Sequence, residues 1–439
     1  MSSLAFRLHR WAWLWLLLSG PLFLFITPAR TPVLLLLPLL FSLRRLATGH
    51  WLPRTPLDRP ILGLLLMVLV SLFATPDLAY SLPKVAGVLF GVTLFYTTVE
   101  TATRSPRHLW ATVGVMAAFG LGLALIGLLG WRTTVAKIPG INGIANLLPA
   151  RQLTLTGAEE GINPNEVAGV ILWTAPLLLA VSVAGLTHWR EWREQVARRA
   201  PAAALAAAGL GASGLAAILL LTQSRSGLAG YALAAVWLAF LAAARRRGGA
   251  LALAALLAGG VALGIGLVGW EQVVVLWKQS LASAPSGQAA WSALSSRPEI
   301  WARGLYALQD FPLTGMGMNM FRQQVHALYP YVTIAPGVDL GHAHNQFLQA
   351  GLDLGLPGLV AYLGVWLTSG FMLARSWRSA QPASLRWLAA GLSASLVGSL
   401  VFGSVDAVAL GARPGFVFWL LLGVVAALPA VTPHNWDAG

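Results

Sequence analysis

Residues 202–221 read AAALAAAGLGASGLAAILLL, residues 222–227 read TQSRSG, and residues 228–244 read LAGYALAAVWLAFLAAA. The first and third blocks carry no charge, and each approaches the ~20 residues that an α-helix needs to cross a hydrocarbon core. Their apolar residues run on continuously instead of alternating, which argues against the strands of a membrane β-barrel. Two apolar helices joined by a short polar link are therefore the unit from which the rest of the chain is read.

That unit recurs. Apolar runs of comparable length lie at about 11–27, 31–47, 60–75, 83–102, 109–130, 166–187, 202–221, 227–244, 250–269, 357–375, 385–409 and 413–431. They predict about twelve transmembrane helices, the first three of them short. Gly and Pro inside several runs do not count against them, because both are frequent in membrane helices. Composition agrees: 57% of residues are hydrophobic and 10% charged, with a mean hydropathy of +0.71. Soluble domains carry roughly 25% charged residues, so a globule of this length could not cover its surface with the charges present. The expected fold is an all-α polytopic membrane protein, a single integral-membrane domain over residues 1–439.

Alternate links carry Arg7/Arg10, Arg44/Arg45/Arg54/Arg59, Arg104/Arg107, Arg190/Arg193/Arg198/Arg199, Arg245/Arg246/Arg247 and Arg375/Arg378/Arg386, while the short links between them are nearly bare of positive charge. This positive-inside pattern puts both termini in the cytoplasm and favours an even helix count. It also accounts for the net charge of +14 without a nucleic-acid partner, since no zinc finger or basic helix accompanies it. The absence of cysteine excludes disulfides and thiolate metal sites. Arg7 and Arg10 before the run 11–26 suggest a signal peptide, but no small-x-small cleavage site follows, so an uncleaved first span is expected. Two links, 131–165 and 270–345, are long and fall on the bare, non-cytoplasmic side. The second, between the ninth and tenth helices, is rich in aromatic residues and is expected to be partly helical and to lie over the membrane face.

Polar residues on that outer side are few. Arg225, in the link 222–227, either closes a tight turn and snorkels to head groups or binds an anion beside the helix start at Ser226-Gly227. Arg297 precedes Pro298 and Glu299, residues suited to the first turn of a helix, and so stands at a helix end that attracts anions; Arg303 is a partner to it or is solvated. Lys84 opens the fourth helix and either snorkels or joins the same anion site. Asn163-Pro164-Asn165 reads as a turn and N-cap. In Gly341-His342-Ala343-His344-Asn345 the two histidines, two residues apart, do not share a helix face, so a helical metal site is not indicated. One of them suits general-base chemistry; the plain alternative is an interfacial histidine at a helix start. There is no P-loop, no Asp-x-Asp pair on an outer loop and no serine nucleophile elbow.

Taken in order, the segment 222–227, the long outer loop, Arg297-Pro298-Glu299-Ile300-Trp301, Phe311-Pro312-Leu313-Thr314-Gly315-Met316-Gly317, and His344-Asn345 with nine residues to Gly355-x-x-Gly358 resemble the O-antigen ligase family. The topology resemblance covers nearly the whole chain and the motifs about residues 160–360. The resemblance implies a glycosyltransferase of the bacterial inner membrane, GT-C-like, with a periplasmic active site. Its donor would be O-antigen linked to undecaprenyl pyrophosphate and its acceptor a hydroxyl of lipid A–core oligosaccharide. It further implies that Arg225 and Arg297 are the essential arginines and His344 the essential histidine, the base of an inverting, metal-independent displacement with no cofactor. Lys84 is a weaker candidate for the pyrophosphate, and Asn345, His342 and Arg303 are possible supporting residues, although His342 does not align with the family signature. The motifs do not separate ligase from O-antigen polymerase. A lipid-linked glycan flippase or transporter would instead place ionisable residues near the bilayer midplane.

Overall fold

The computed structural model describes residues 3–9, 11–131, 153–154, 161–195, 200–245, 249, 296–379 and 382–431. Among the described residues the regular structure is helical, with one isolated bridge between Trp131 and Ile162. The first half runs α1 (Ser3–His9), α2 (Ala12–Leu24), α3 (Leu36–Thr48), α4 (Asp58–Ala74), α5 (Leu78–Ala102), α6 (Pro106–Gly130), α7 (Pro164–Thr187) and α8 (Trp189–Gln195). The second half runs α9 (Pro201–Leu221), α10 (Arg225–Ala244), α11 (Arg297–Asp310), α12 (Phe321–Leu328), α13 (Gln346–Ser379), α14 (Ala383–Gly403) and α15 (Phe416–Val431). Short 3-10 turns at Pro28–Leu35 and Arg413–Gly415 lead into α3 and α15.

Nine of these segments are long and apolar enough to cross a membrane, among the described residues. They correspond to nine of the expected spans. The expected spans 11–27 and 60–75 are helical as α2 and α4 but only 13 and 17 residues long, and the span 250–269 lies outside the described residues. Two boundaries differ from expectation. The span expected at 357–375 is the second part of a 34-residue helix that begins at Gln346 and kinks at Gly355. The span expected at 385–409 ends at Gly403, so Asp406 lies in a link and not in a helix.

The bundle is centred on α7, which packs against α14, α9, α6 and α10. Hydrophobicity does not drive helices together in lipid, where tails are as apolar as leucine, so close approach of small residues matters more. A Cβ added at Gly230 in α10 would come within 2.5 Å of the Gly398 carbonyl of α14, so these two backbones meet where neither helix has a side chain. One end of the bundle holds an inner polar cluster, in which Glu100 accepts from His9 at 2.7 Å and from Arg44 at 3.0 Å.

The other end carries α11 and α12, as the aromatic character of that loop predicted. They enclose a separate apolar core of Ile300, Met316, Met320, Phe321 and Val325 that also takes in Ala343 and Leu352. The motif Phe311–Gly317 is the clasp that joins this cap to the membrane bundle. The Met316 N–H donates to the Leu352 carbonyl at 2.7 Å and the Leu356 N–H donates to the Pro312 carbonyl at 2.7 Å. Gly315 and Gly355 face each other there at φ +68° and +70°. A Cβ at Gly315 would lie 2.6 Å from the Leu352 carbonyl oxygen and one at Gly355 2.5 Å from the Leu313 carbonyl carbon, so the glycines of both motifs serve the clasp.

Candidate active site

The sequence folds the site from three chain segments at the cap end. The first is the start of α11. Arg297 is its first residue and Pro298 follows, a placement that needs no N–H from proline. The second is the approach to α13. Asn345 caps that helix, its Oδ1 accepting from the N–H groups of Phe347 and Leu348 at 3.0 Å each. Its Nδ2 donates to the Ser404 carbonyl at 3.0 Å and so ties the second segment to the third, the link after α14. That link lies on α5, where a Cβ at Gly87 would fall 2.2 Å from the Gly411 carbonyl oxygen.

Asp406 is where the segments converge. Its side chain is 2% exposed. Its Oδ2 accepts from the Arg297 guanidinium at 3.2 Å, and its Oδ1 lies 3.3 Å from His344 Nδ1 and accepts from the Ala407 N–H at 3.0 Å. Burial opposes the charge on Asp406, but the His344 hydrogen bond and the adjacent His342, His344 and Arg297 outweigh it and hold the carboxyl down at about 2. An ionised carboxylate only accepts, so the His344 proton sits on Nδ1 and Nε2 presents its lone pair outward. This is the tautomer a general base requires. His344 also has φ +48°, a conformation that costs a non-glycine residue about 1–2 kcal/mol and must be held by its surroundings.

His342 shares the site. Its Nδ1 accepts from the His344 N–H at 3.1 Å, and its ring meets that of His344 at 4.6 Å between centroids. Burial, with His344, Lys84 and Arg297 close by, pushes the His342 imidazole down to about 3 against the pull of Asp406. The donor atoms of His342, His344 and Asp406 all lie within 4.8 Å of one another, close enough for a divalent cation to be considered. The hydrogen bonding opposes it. With Nδ1 already an acceptor, the proton of neutral His342 is on Nε2, the nitrogen that would have to ligate. The Arg297 guanidinium also occupies the same carboxylate.

The remaining expected residues fall as follows. Lys84 is near the start of α5, within electrostatic reach of His342 and of Asp353 and Glu166. Arg225 is the exposed first residue of α10, following a turn in which Thr222, Gln223 and Ser224 are buried, and Ser224 caps the helix by accepting from the Gly227 N–H at 3.3 Å. Gly227 packs on Ala168 of α7, which puts Arg225 at the same end of the bundle as the Asp406 link. Arg303 stands apart from Asp406. It lies 3.8 Å from Glu299 and over the ring of Tyr306, while Glu299 accepts from the Val332 and Thr333 N–H groups at 2.6 and 3.1 Å. That pair therefore fastens the cap. Asn163 caps α7 as expected, accepting from the Asn165 N–H at 3.0 Å.

Sequence reasoning noted Asp406 near a helix end but gave it no role, because the apolar run was carried through to residue 409. The available signal was a carboxylate inside a predicted span, costly there unless paired. It also missed the support behind the histidines. Asp353 accepts from Gln349 at 2.9 Å and from the Asn319 N–H at 3.1 Å, and Gln349 in turn accepts from the Ala343 N–H at 2.8 Å.

Helices long enough to cross a membrane, with a His–Asp–Arg cluster beneath a helical cap, make this an α-helical polytopic membrane protein with a polar site at one end. Residues 210–363 match the profile of the O-antigen ligase family, so this part of the chain is similar to that family. The similarity supports a membrane enzyme that transfers glycosyl groups, of the O-antigen ligase and polymerase type. The matched segment contains Arg225, Arg297, His342, His344 and the clasp glycines, while Lys84 and Asp406 lie outside it. A comparison with curated proteins finds no match.

Proposed function

We propose that this protein is an O-antigen ligase, transferring glycan from undecaprenyl pyrophosphate to a hydroxyl of lipid A–core oligosaccharide at the periplasmic face of the inner membrane. The observation that carries the reading is the hydrogen bond between His344 and Asp406, with Arg297 on the same carboxylate. A sugar hydroxyl is a poor nucleophile. In this reading His344 Nε2 takes its proton as the oxygen attacks the anomeric carbon, and Asp406 steadies the imidazolium that forms, help worth about 10²–10⁴-fold. The anomeric C–O bond breaks as the new bond forms, so the configuration inverts and the electron pair leaves on the lipid pyrophosphate. Arg225 and Arg297, with Lys84 behind them, neutralise that leaving group, and a fixed cation of this kind is worth roughly 3 kcal/mol. No nucleotide or metal is required: the pyrophosphate already activates the sugar, and the tautomer of His342 disfavours ligation.

A cell lacking the protein should accumulate lipid-linked glycan and display only core lipopolysaccharide. Unchanged lipopolysaccharide would refute the ligase reading, and loss of chain length with single units still attached to core would point to the polymerase. Arg225→Lys and Arg297→Lys should both fail to restore ligation, since an ammonium cannot reproduce the bidentate contacts of a guanidinium. Full complementation by either would remove that arginine from the pyrophosphate site.

A further inference from the structure

We propose that His342 is a positioning residue whose imidazole acts as the side chain of an Asx-type turn, fixing the left-handed backbone of His344; this rests on His344 being the base.

In an Asx turn the side-chain oxygen of Asn or Asp accepts from the backbone N–H two residues on. Nδ1 of histidine is attached to Cγ as that oxygen is, and His342 Nδ1 accepts from the His344 N–H at 3.1 Å. The neighbouring groups complete the hold. The Ala343 N–H donates to Gln349 at 2.8 Å, and Asn345 caps α13 while gripping the Ser404 carbonyl. Every segment around the φ +48° of His344 is thus anchored to α13 or to the Asp406 link, and His342 supplies the one anchor on the His344 N–H itself. The other ring nitrogen contributes little. His342 Nε2 is 3.7 Å from Asp406 Oδ1, beyond hydrogen-bond range. The imidazole of His342 therefore serves as a rigid acceptor, and its proton chemistry is not used.

Acceptor geometry is then what a substitution must preserve. Purified, reconstituted protein carrying His342→Asn, His342→Gln or His342→Leu would be assayed for glycan transfer beside wild type and His344→Ala, with donor binding measured separately. Asn keeps an oxygen at the Nδ1 position and should retain most of the wild-type kcat. Leu offers no acceptor and should lose about 10²-fold in kcat, the scale of a misplaced catalytic group, with donor affinity unchanged. Gln moves its oxygen out by one methylene and should resemble Leu. Should the Leu variant fail to fold, the ratio of Asn to Gln decides the matter alone. An Asn variant as inactive as Gln or Leu would overturn the proposal, because the imidazole itself would then be needed. Wild-type activity in both Leu and Gln would overturn it as well. Normal transfer by His344→Ala would bring down the base assignment and the turn together, whereas an inactive His344→Ala with no rescue by Asn would sink the turn alone.

Discussion

As the proposed base, His344 would do two jobs that usually conflict. It must be exposed enough to meet a substrate hydroxyl, and its ring must not rotate. Its side chain is 26% exposed while Asp406 beneath it is 2% exposed, so the carboxylate is shielded and the imidazole is not. Removing the negative charge without removing the shape separates these functions. Asp406→Asn should lower kcat by about 10²–10⁴-fold, because an amide can donate to Nδ1 and so favours the wrong tautomer. Donor binding should remain near wild type. Transfer kinetics with a parallel donor-binding isotherm make the check, and a kcat within threefold of wild type would show that Asp406 does not orient the base. His344 and Arg297, which meet at Asp406, were both singled out in the sequence, because a cation or imidazole in so apolar a chain has few structural excuses. The role of Asp406 was not, because two apolar stretches flank it and nothing local marks where α14 ends.

Elements behaved according to how local their signals are. Pro298 and the cap at Asn163 mark helix starts through side chains one to three residues away, and both starts appear where the sequence put them, whereas the Ser224 cap, which starts α10 at Arg225, was not read. The kink of α13 depends on a partner 40 residues upstream in the chain, at Gly315, so hydropathy resolved the second part of the helix but not its continuity with the first. The clasp yields its own expectation. Gly355→Ala forces a Cβ into the Leu313 backbone at a positive φ, and should destabilise the protein by at least about 1 kcal/mol and reduce transfer by displacing the cap. Gly337→Ala, in open space on the cap, is the matched control. Thermal unfolding in detergent compares the two, and equal midpoints would contradict the clasp.

Across the whole molecule, charge is sorted to the two ends of the bundle: His9, Arg44 and Glu100 at one, and Arg297, His344 and Asp406 at the other. The alternation of basic and bare links is compatible with that separation, but it gave no sign of how deeply Lys84, Glu166 and Asp353 are set. Acid should loosen the site end in two stages. His342 at about 3 and Asp406 at about 2 both lie below their unfolded values of about 6.5 and about 3.9, so the unfolded chain binds more protons than the native one as pH falls. Their contribution is complete above about pH 6.5, declines first through His342 and is lost through Asp406 as pH approaches 2. Between pH 7.5 and pH 5 the unfolding midpoint of His342→Asn should therefore fall less than that of wild type, and an equal fall would remove His342 from the balance.

The proposed transfer depends most on a proton passing from an acceptor hydroxyl to His344. Purified protein in lipid, supplied with undecaprenyl-pyrophosphate-linked O-antigen, purified lipid A–core and a chelator, tests it directly. Wild type should convert lipid A–core to glycan-bearing product in the chelator, while His344→Ala, folded and still binding the donor, should yield none. Product from His344→Ala at the wild-type rate would contradict the account.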